Sequence, residues 1–375
     1  MRTKVKFLIG LLLVFVFLNQ VFAQTNKQDK AKVQIALLLD VSNSMDGLID
    51  QAKSQLWKIV NDMALAEYNG QTPELHIALY EYGNDGLPAA EGHIRQVSQF
   101  TTDLDKISED LFALKTNGGS EYCGQVIEVS LKQLLWTSSN KDLKMIFIAG
   151  NEPFNQGTFD YKVSCKKSIT QGVIVNTIFC GNVQEGISTY WKDGADLADG
   201  KYMNIDQNLK EVYIASPYDN EIMQLNDKLN NTYIGYGSGG SKMKERQVIQ
   251  DNNAGSMSEE VQINRAVSKS QGAYSNETWD LVDAYKKDEK KIEKLSDDEL
   301  PSELKGKSKT EVKTYLDQKQ KEREKIQKQI NELNDKRSKY VAEKKKESAG
   351  DNTLDAVMIK AVREQAVKKN YKFKK

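Results

Sequence analysis

Between Ala31 and Tyr236 the apolar positions fall into short runs, separated by stretches in which they recur every three or four residues. That alternation predicts strands interleaved with helices, and so a mostly parallel sheet covered on both faces. Ile35 to Leu39 is apolar without a break, as in a strand buried on both sides, which places the first strand at 33–39. Further strands are expected at 75–82, 93–100, 143–149, 173–179 and 201–205. Ile49, Ala52, Leu56, Ile59 and Met63 share one helical face, as do Leu104, Ile107, Leu111 and Leu114. Thr102, with Asp105 three residues on, reads as the start of the second of these helices. Ser216-Pro217 reads as the start of another, running through Ile222, Leu225 and Leu229. The fold class is therefore α/β, a doubly wound, mostly parallel six-stranded sheet over about 31–236, with a C-terminal helical extension.

Gly235 to Gly240 is rich in glycine and serine, and residues 237–275 are expected to form a flexible linker. Beyond Asn276 the composition shifts to Lys, Glu, Asp and Gln. Val312, Leu316, Lys319, Arg323, Ile326, Ile330, Leu333, Arg337 and Tyr340 step by fours and threes, a heptad seam with three basic interruptions. A shorter seam runs through Val282, Tyr285, Glu289 and Ile292, with Pro301 and Gly306 between the two. Residues 276–347 are read as a coiled-coil-like helical hairpin that associates through its apolar face; the alternative is a solvated, charged helix without a partner. Residues 348–375 are read as a last amphipathic helix and tail.

Arg2, Lys4 and Lys6 precede an apolar run from Phe7 to Leu18, and Val21-Phe22-Ala23 precedes Gln24. This is the layout of a secretory signal peptide over residues 1–23, cleaved after Ala23. A spanning anchor needs about 20 apolar residues, and Asn19 and Gln20 interrupt the run too early. Basic and acidic residues balance at 53 each, so losing the leader's three bases and no acid takes the formal charge from 0 to −3. Such a chain has no nucleic-acid footprint. Export to the periplasm or the medium favours a disulfide among Cys123, Cys165 and Cys180. Cys165 lies early in a helix leaving the carboxyl edge of the sheet and Cys180 ends the next strand at that edge. These two are expected to pair, leaving Cys123 free.

Asp40-Val41-Ser42-Asn43-Ser44 falls where the first strand gives way to the first helix, at the edge where open α/β sheets bind ligands. An apolar strand followed by Asp-x-Ser-x-Ser resembles the first loop of the metal-ion-dependent adhesion site of von Willebrand factor A domains, here of an exported bacterial type. The resemblance implies that the hydroxyls of Ser42 and Ser44 contact a Mg²⁺-like ion and that Asp40 holds it directly or through water. The family's second loop offers a threonine after two glycines. Gly118-Gly119-Ser120-Glu121 stands at that place, with Ser120 as the third ligand. The third loop of the family supplies an aspartate after the fourth strand, but Ile148-Ala149-Gly150-Asn151-Glu152-Pro153 puts glycine in that register. Glu121 or Glu152 would restore the missing charge, Glu152 as an outer ligand. Mg²⁺ is the expected cation, with Ca²⁺ and Mn²⁺ as alternatives, since all three take oxygen ligands. The plainer alternatives are that Asp40 to Ser44 cap the first helix and that Ser120-Glu121 is a turn and helix start.

The function expected on this resemblance is divalent-metal-dependent protein binding of the adhesion type, without catalysis and outside the cytoplasm, with an acidic residue of the partner completing the coordination. The rival is a structural or assembly protein whose helical C-terminal region does the binding beside a degenerate metal site. A metallohydrolase comes third, because it needs a positioned general base as well as an ion. Gly235 to Lys242 lacks the Gly-Lys-Ser/Thr order of a phosphate loop. His76 and His93 fall in expected strands, without zinc-ligand spacing. A nucleophilic reading of Cys123 has no histidine that the sequence places beside it.

Overall fold

Each of the six predicted strands forms, with both ends within a residue of the position its apolar run predicts. They are β1 (Lys32–Asp40), β2 (Glu74–Tyr82), β3 (Ile94–Thr101), β4 (Leu143–Gly150), β5 (Ile174–Cys180) and β6 (Tyr202–Ile205). The computed structural model describes residues 30–209, 213–345 and 353–374. The expected leader, residues 1–23, lies outside the described residues. The sheet order is β3-β2-β1-β4-β5-β6, parallel throughout except where β2 meets β3. Strand β1 is central and buried on both faces, which is why its sequence does not alternate.

Side chains of successive strand residues point to opposite faces, and the core divides accordingly. Ile35, Leu37 and Leu39 join a cluster with α1 (Asp46–Ala64) and α2 (Leu104–Ala113). Ala36 and Leu38 join another with α3 (Cys123–Gln133), α4 (Tyr161–Thr170) and, beyond the short α5 (Val183–Ser188), α6 (Trp191–Asp196). Asp103, not Thr102, caps α2, its carboxylate accepting from the Lys106 amide at 3.0 Å. Helix α7 (Asp219–Asn230) starts two residues past Pro217. Ser216 there donates its hydroxyl to Asp219 at 2.6 Å instead of capping.

The expected disulfide is absent: Cys123, Cys165 and Cys180 are all free and buried. Cys180 follows Phe179 on β5 and so points to the opposite face. It lies in the α1 side of the core, whereas Cys165 on α4 lies in the other cluster. The sheet stands between them.

The expected linker is likewise ordered. Residues 237–275 hold α8 (Gly240–Met257) and α9 (Glu259–Ser270), packed on each other. Their buried faces are charged. Arg265, 1 % exposed, bonds to Asp105 at 2.8 Å and to Asp251, and stacks on Trp57 at 4.6 Å. Lys269, 0 % exposed, bonds to Asp251 at 2.8 Å. Tyr274 donates its hydroxyl to Asp105 at 2.6 Å. Each buried charge has an opposite partner, the condition under which burying it is tolerable.

The coiled-coil reading is corrected in part. Beyond α10 (Leu281–Lys287) and α11 (Lys291–Lys294), α12 (Lys309–Lys345) is one long helix. Val312 and Leu316 do pack with Val282, Tyr285 and Ile292, as a hairpin requires. Ile326, Ile330 and Leu333, however, join the core beside α7 and α9. Two of the three basic interruptions are buried ion pairs. Arg323 meets Asp280 at 2.6 Å and Asp283 at 2.8 Å over the Tyr233 ring, and Arg337 meets Asp219 at 2.9 Å. The five apolar residues expected to drive self-association are thus covered by the same chain.

Helix α13 (Leu354–Lys368) lies on α1, where Gln51 and Gln55 accept from the amides of Leu354 and Asp355 at 3.0 and 2.8 Å. Lys372–Phe373 then pairs antiparallel with Ala66–Glu67. From Ala31 onward the chain forms one compact unit, not a domain with appendages. Among the described residues no helix is long and apolar enough to cross a membrane.

Candidate metal centre

The parallel register sets Asp40 opposite Tyr82 of β2, and on its other side Leu39 opposite Ala149 of β4, so Gly150 emerges beside Asp40. The chain leaves β1 through a tight turn in which Asp40 Oδ1 accepts from the Ser42 amide at 2.7 Å. The hydroxyls of Ser42 and Ser44 stand 3.2 Å apart. The second loop docks on the first: the Asn43 amide donates to the Gly118 carbonyl at 3.1 Å and the Asn117 amide to the Val41 carbonyl at 2.8 Å. The third loop joins through Asn151, whose side-chain nitrogen donates to Ser44 Oγ at 3.2 Å.

These residues are not helix caps. Met45 holds the N-cap position of α1 and Tyr122 that of α3, and neither helix has a side-chain cap bond. Asp40, Ser42, Ser44 and Glu121 are therefore released from the plainer duty the sequence allowed them. Asp40 and Glu121 are 0 % and 2 % exposed, lie within hydrogen-bonding reach of each other, and both reach Ser42. Asp40 Oδ2 and Glu121 Oε2 are buried with no hydrogen-bond partner. Two buried carboxyls in contact, each with an oxygen that no donor reaches, require a proton or a cation between them. The donor set, two carboxylates with two serine hydroxyls and one face open at Ser44, fits a hard cation that keeps some of its water.

The expected ligands are thus placed unequally. Asp40, Ser42 and Ser44 converge with Glu121. Ser120 is half-buried and makes no hydrogen bond among the described residues. Glu152 acts on Asp40 and Glu121 only through its charge, with no hydrogen bond to either. Two participants were missed from sequence. Asn151 follows the glycine of the third loop, a signal that was available. Tyr82 donates its hydroxyl to the Ala149 carbonyl at 2.9 Å behind Asp40. Its place was fixed by register alone. Burial pushes the Cys123 thiol well up, leaving little thiolate for nucleophilic chemistry.

Burial, and next the facing Asp40, push the Glu121 carboxyl up to about 10; burial also raises Asp40. Without metal the folded chain therefore holds a proton that the unfolded chain releases at an ordinary carboxylate value. Its stability should be full below that value and fall as pH rises toward 10. Melts at pH 5 and pH 9 in chelator should show this loss, Glu121→Gln should flatten it, and excess Mg²⁺ should reduce it. A wild-type melting temperature equal at both pH values would contradict the paired arrangement.

No curated protein matches the chain by sequence. Similar solved structures include the conserved hypothetical protein BatB from Bacteroides thetaiotaomicron, at 14 % identity and a TM-score of 0.36 over 46 % of this chain and 90 % of that one. The SpRpn10 VWA domain is similar at 16 % identity and a TM-score of 0.35 over 47 % and 88 %. The pilus adhesin SpaC from Lactobacillus rhamnosus GG, in an open conformation, is similar at 14 % identity and 0.36 over 48 % and 28 %. Residues 34–186 match the family model of the von Willebrand factor type A domain, and the six-stranded, mostly parallel sheet with helices on both faces has that fold.

Proposed function

We propose that the chain is a protein-binding module that acts outside the cytoplasm and holds its partner through a divalent cation at Asp40, Ser42 and Ser44. The observation that carries this reading is the pair of buried, unpartnered carboxylate oxygens on Asp40 and Glu121, at the edge of a sheet whose sequence matches a von Willebrand factor type A domain. A bound Mg²⁺, or Ca²⁺ or Mn²⁺ in its stead, would supply a Lewis-acidic position facing solvent at Ser44, where an acidic side chain of a partner completes the coordination. The layout of the first 23 residues supports export.

The rival reading, in which the C-terminal helices do the binding, loses its main surface. The apolar face it relied on is packed into the chain's own core. Immobilised full-length chain should capture a protein in Mg²⁺ and release it in chelator, and Asp40→Asn should capture none. Capture that survives both chelator and Asp40→Asn would sink the reading.

A further inference from the structure

We infer that Glu121, from the second loop, is the second acidic ligand of the Asp40 site, taking over the duty that a third-loop carboxylate would have and that Gly150 cannot perform. The inference rests on the metal-binding reading above and deepens it. Two close approaches make room for Glu121 and exclude the alternative. On one side, a Cβ on Gly83 would stand 2.9 Å from both Asp40 Oδ1 and Glu121 Cγ, so only glycine lets the two side chains meet there; its φ of +78° also favours glycine. On the other, a Cβ on Gly150 would stand 2.5 Å from the Tyr82 hydroxyl and 3.0 Å from Asp40 Oδ2. The space a third-loop side chain needs is filled by a buried tyrosine, whose hydroxyl is fixed by the Ala149 carbonyl at 2.9 Å.

Glu121 is also held for the purpose. Its amide donates to Gln156 Oε1 at 2.6 Å, and its side chain is 2 % exposed, free of helix capping, with Oε2 unpartnered. Glu152, the other acid near the missing aspartate, is half-buried and touches neither carboxylate. A site with two carboxylates of its own neutralises a divalent ion, so the chain should hold the ion before any partner arrives.

The test is titration of the full chain alone with Mn²⁺, followed by calorimetry and by the electron paramagnetic resonance of the free ion, with melts in chelator to check folding. Wild type should bind one Mn²⁺. Glu121→Gln, which keeps the shape of a side chain that burial already holds neutral, should melt as a folded protein yet bind at least about tenfold more weakly, having lost a charged oxygen ligand. Glu152→Gln should bind within about twofold of wild type, as expected of a charge that bonds neither carboxylate and acts only at a distance. Wild-type affinity in Glu121→Gln would overturn the inference while leaving the Asp40 site standing, and so would a loss confined to Glu152→Gln. Absence of Mn²⁺ binding by wild type at millimolar concentration would remove both.

Discussion

A chain ending at residue 352 should fail to accumulate as a folded protein. Helix α13 buries Leu354, Met358 and Val362, and Tyr371 follows it into the core. Burying each such aliphatic side chain contributes about 1.5–3 kcal/mol, so the segment supplies an amount comparable with the whole stability of about 5–15 kcal/mol of an ordinary domain. Its loss would also uncover the sheet, since Leu354 and Met358 close an apolar hollow with Leu37, Leu39, Leu56, Phe147 and Ile178. Polar partners go too: Asn176, inside β5, exchanges hydrogen bonds of 3.1 and 2.6 Å with Gln365, and its side-chain nitrogen would lose its acceptor while Oδ1 kept only the Lys201 amide at 2.9 Å. Circular-dichroism melts and limited proteolysis of the truncated chain measure the effect. A cooperative transition within a few degrees of the full-length value would show that α13 is an accessory.

The same consideration bears on a fragment that stops at Tyr236. The hydrophobic pattern makes such a fragment look like a complete domain, because strands buried on both faces leave runs such as Ile35 to Leu39 that little else produces. What the pattern does not reveal is that the helical layer over α1 is closed by α9 and α13. The inner faces of α8 and α9 present Gln247, Gln250, Asp251, Arg265 and Lys269 to the interior. A reading that sorts residues into apolar core and polar surface assigns such faces to solvent. Arg323 and Arg337 misled it in the same way, looking like flaws in a coiled-coil seam when each is matched to an aspartate far away in sequence.

The site divides along a similar line. Asp40, Ser42 and Ser44 are alternate residues of one turn, so the resemblance of that single short segment to the family's first loop was enough to single them out together. Ser120 and Glu121 are adjacent in sequence, and which of the two reaches Asp40 depends on how the loop at Gly118 docks on Asn43. The expected cysteine pairing failed on a parity of one residue, Phe179 facing one side of β5 and Cys180 the other.

Asp40→Asn should abolish stabilisation by divalent ions while leaving the fold intact. Asparagine keeps an oxygen in the position of Oδ1, so the 2.7 Å bond from the Ser42 amide survives. It removes the carboxylate that burial disfavours and that faces Glu121, so in chelator the variant should melt at or slightly above wild type. Asp40→Ala should fold less well, since it strands that amide in the interior at a cost of about 1–3 kcal/mol. With Mg²⁺ or Mn²⁺ at a hundred times its dissociation constant, wild type should gain about 2.7 kcal/mol by mass action. Asp40→Asn should gain almost nothing, having lost one of the two charged oxygens that hold the ion. Calorimetric titration beside melts with and without the ion separates binding from folding. Equal ion-induced shifts in wild type and Asp40→Asn would show that the ion is held elsewhere in the chain.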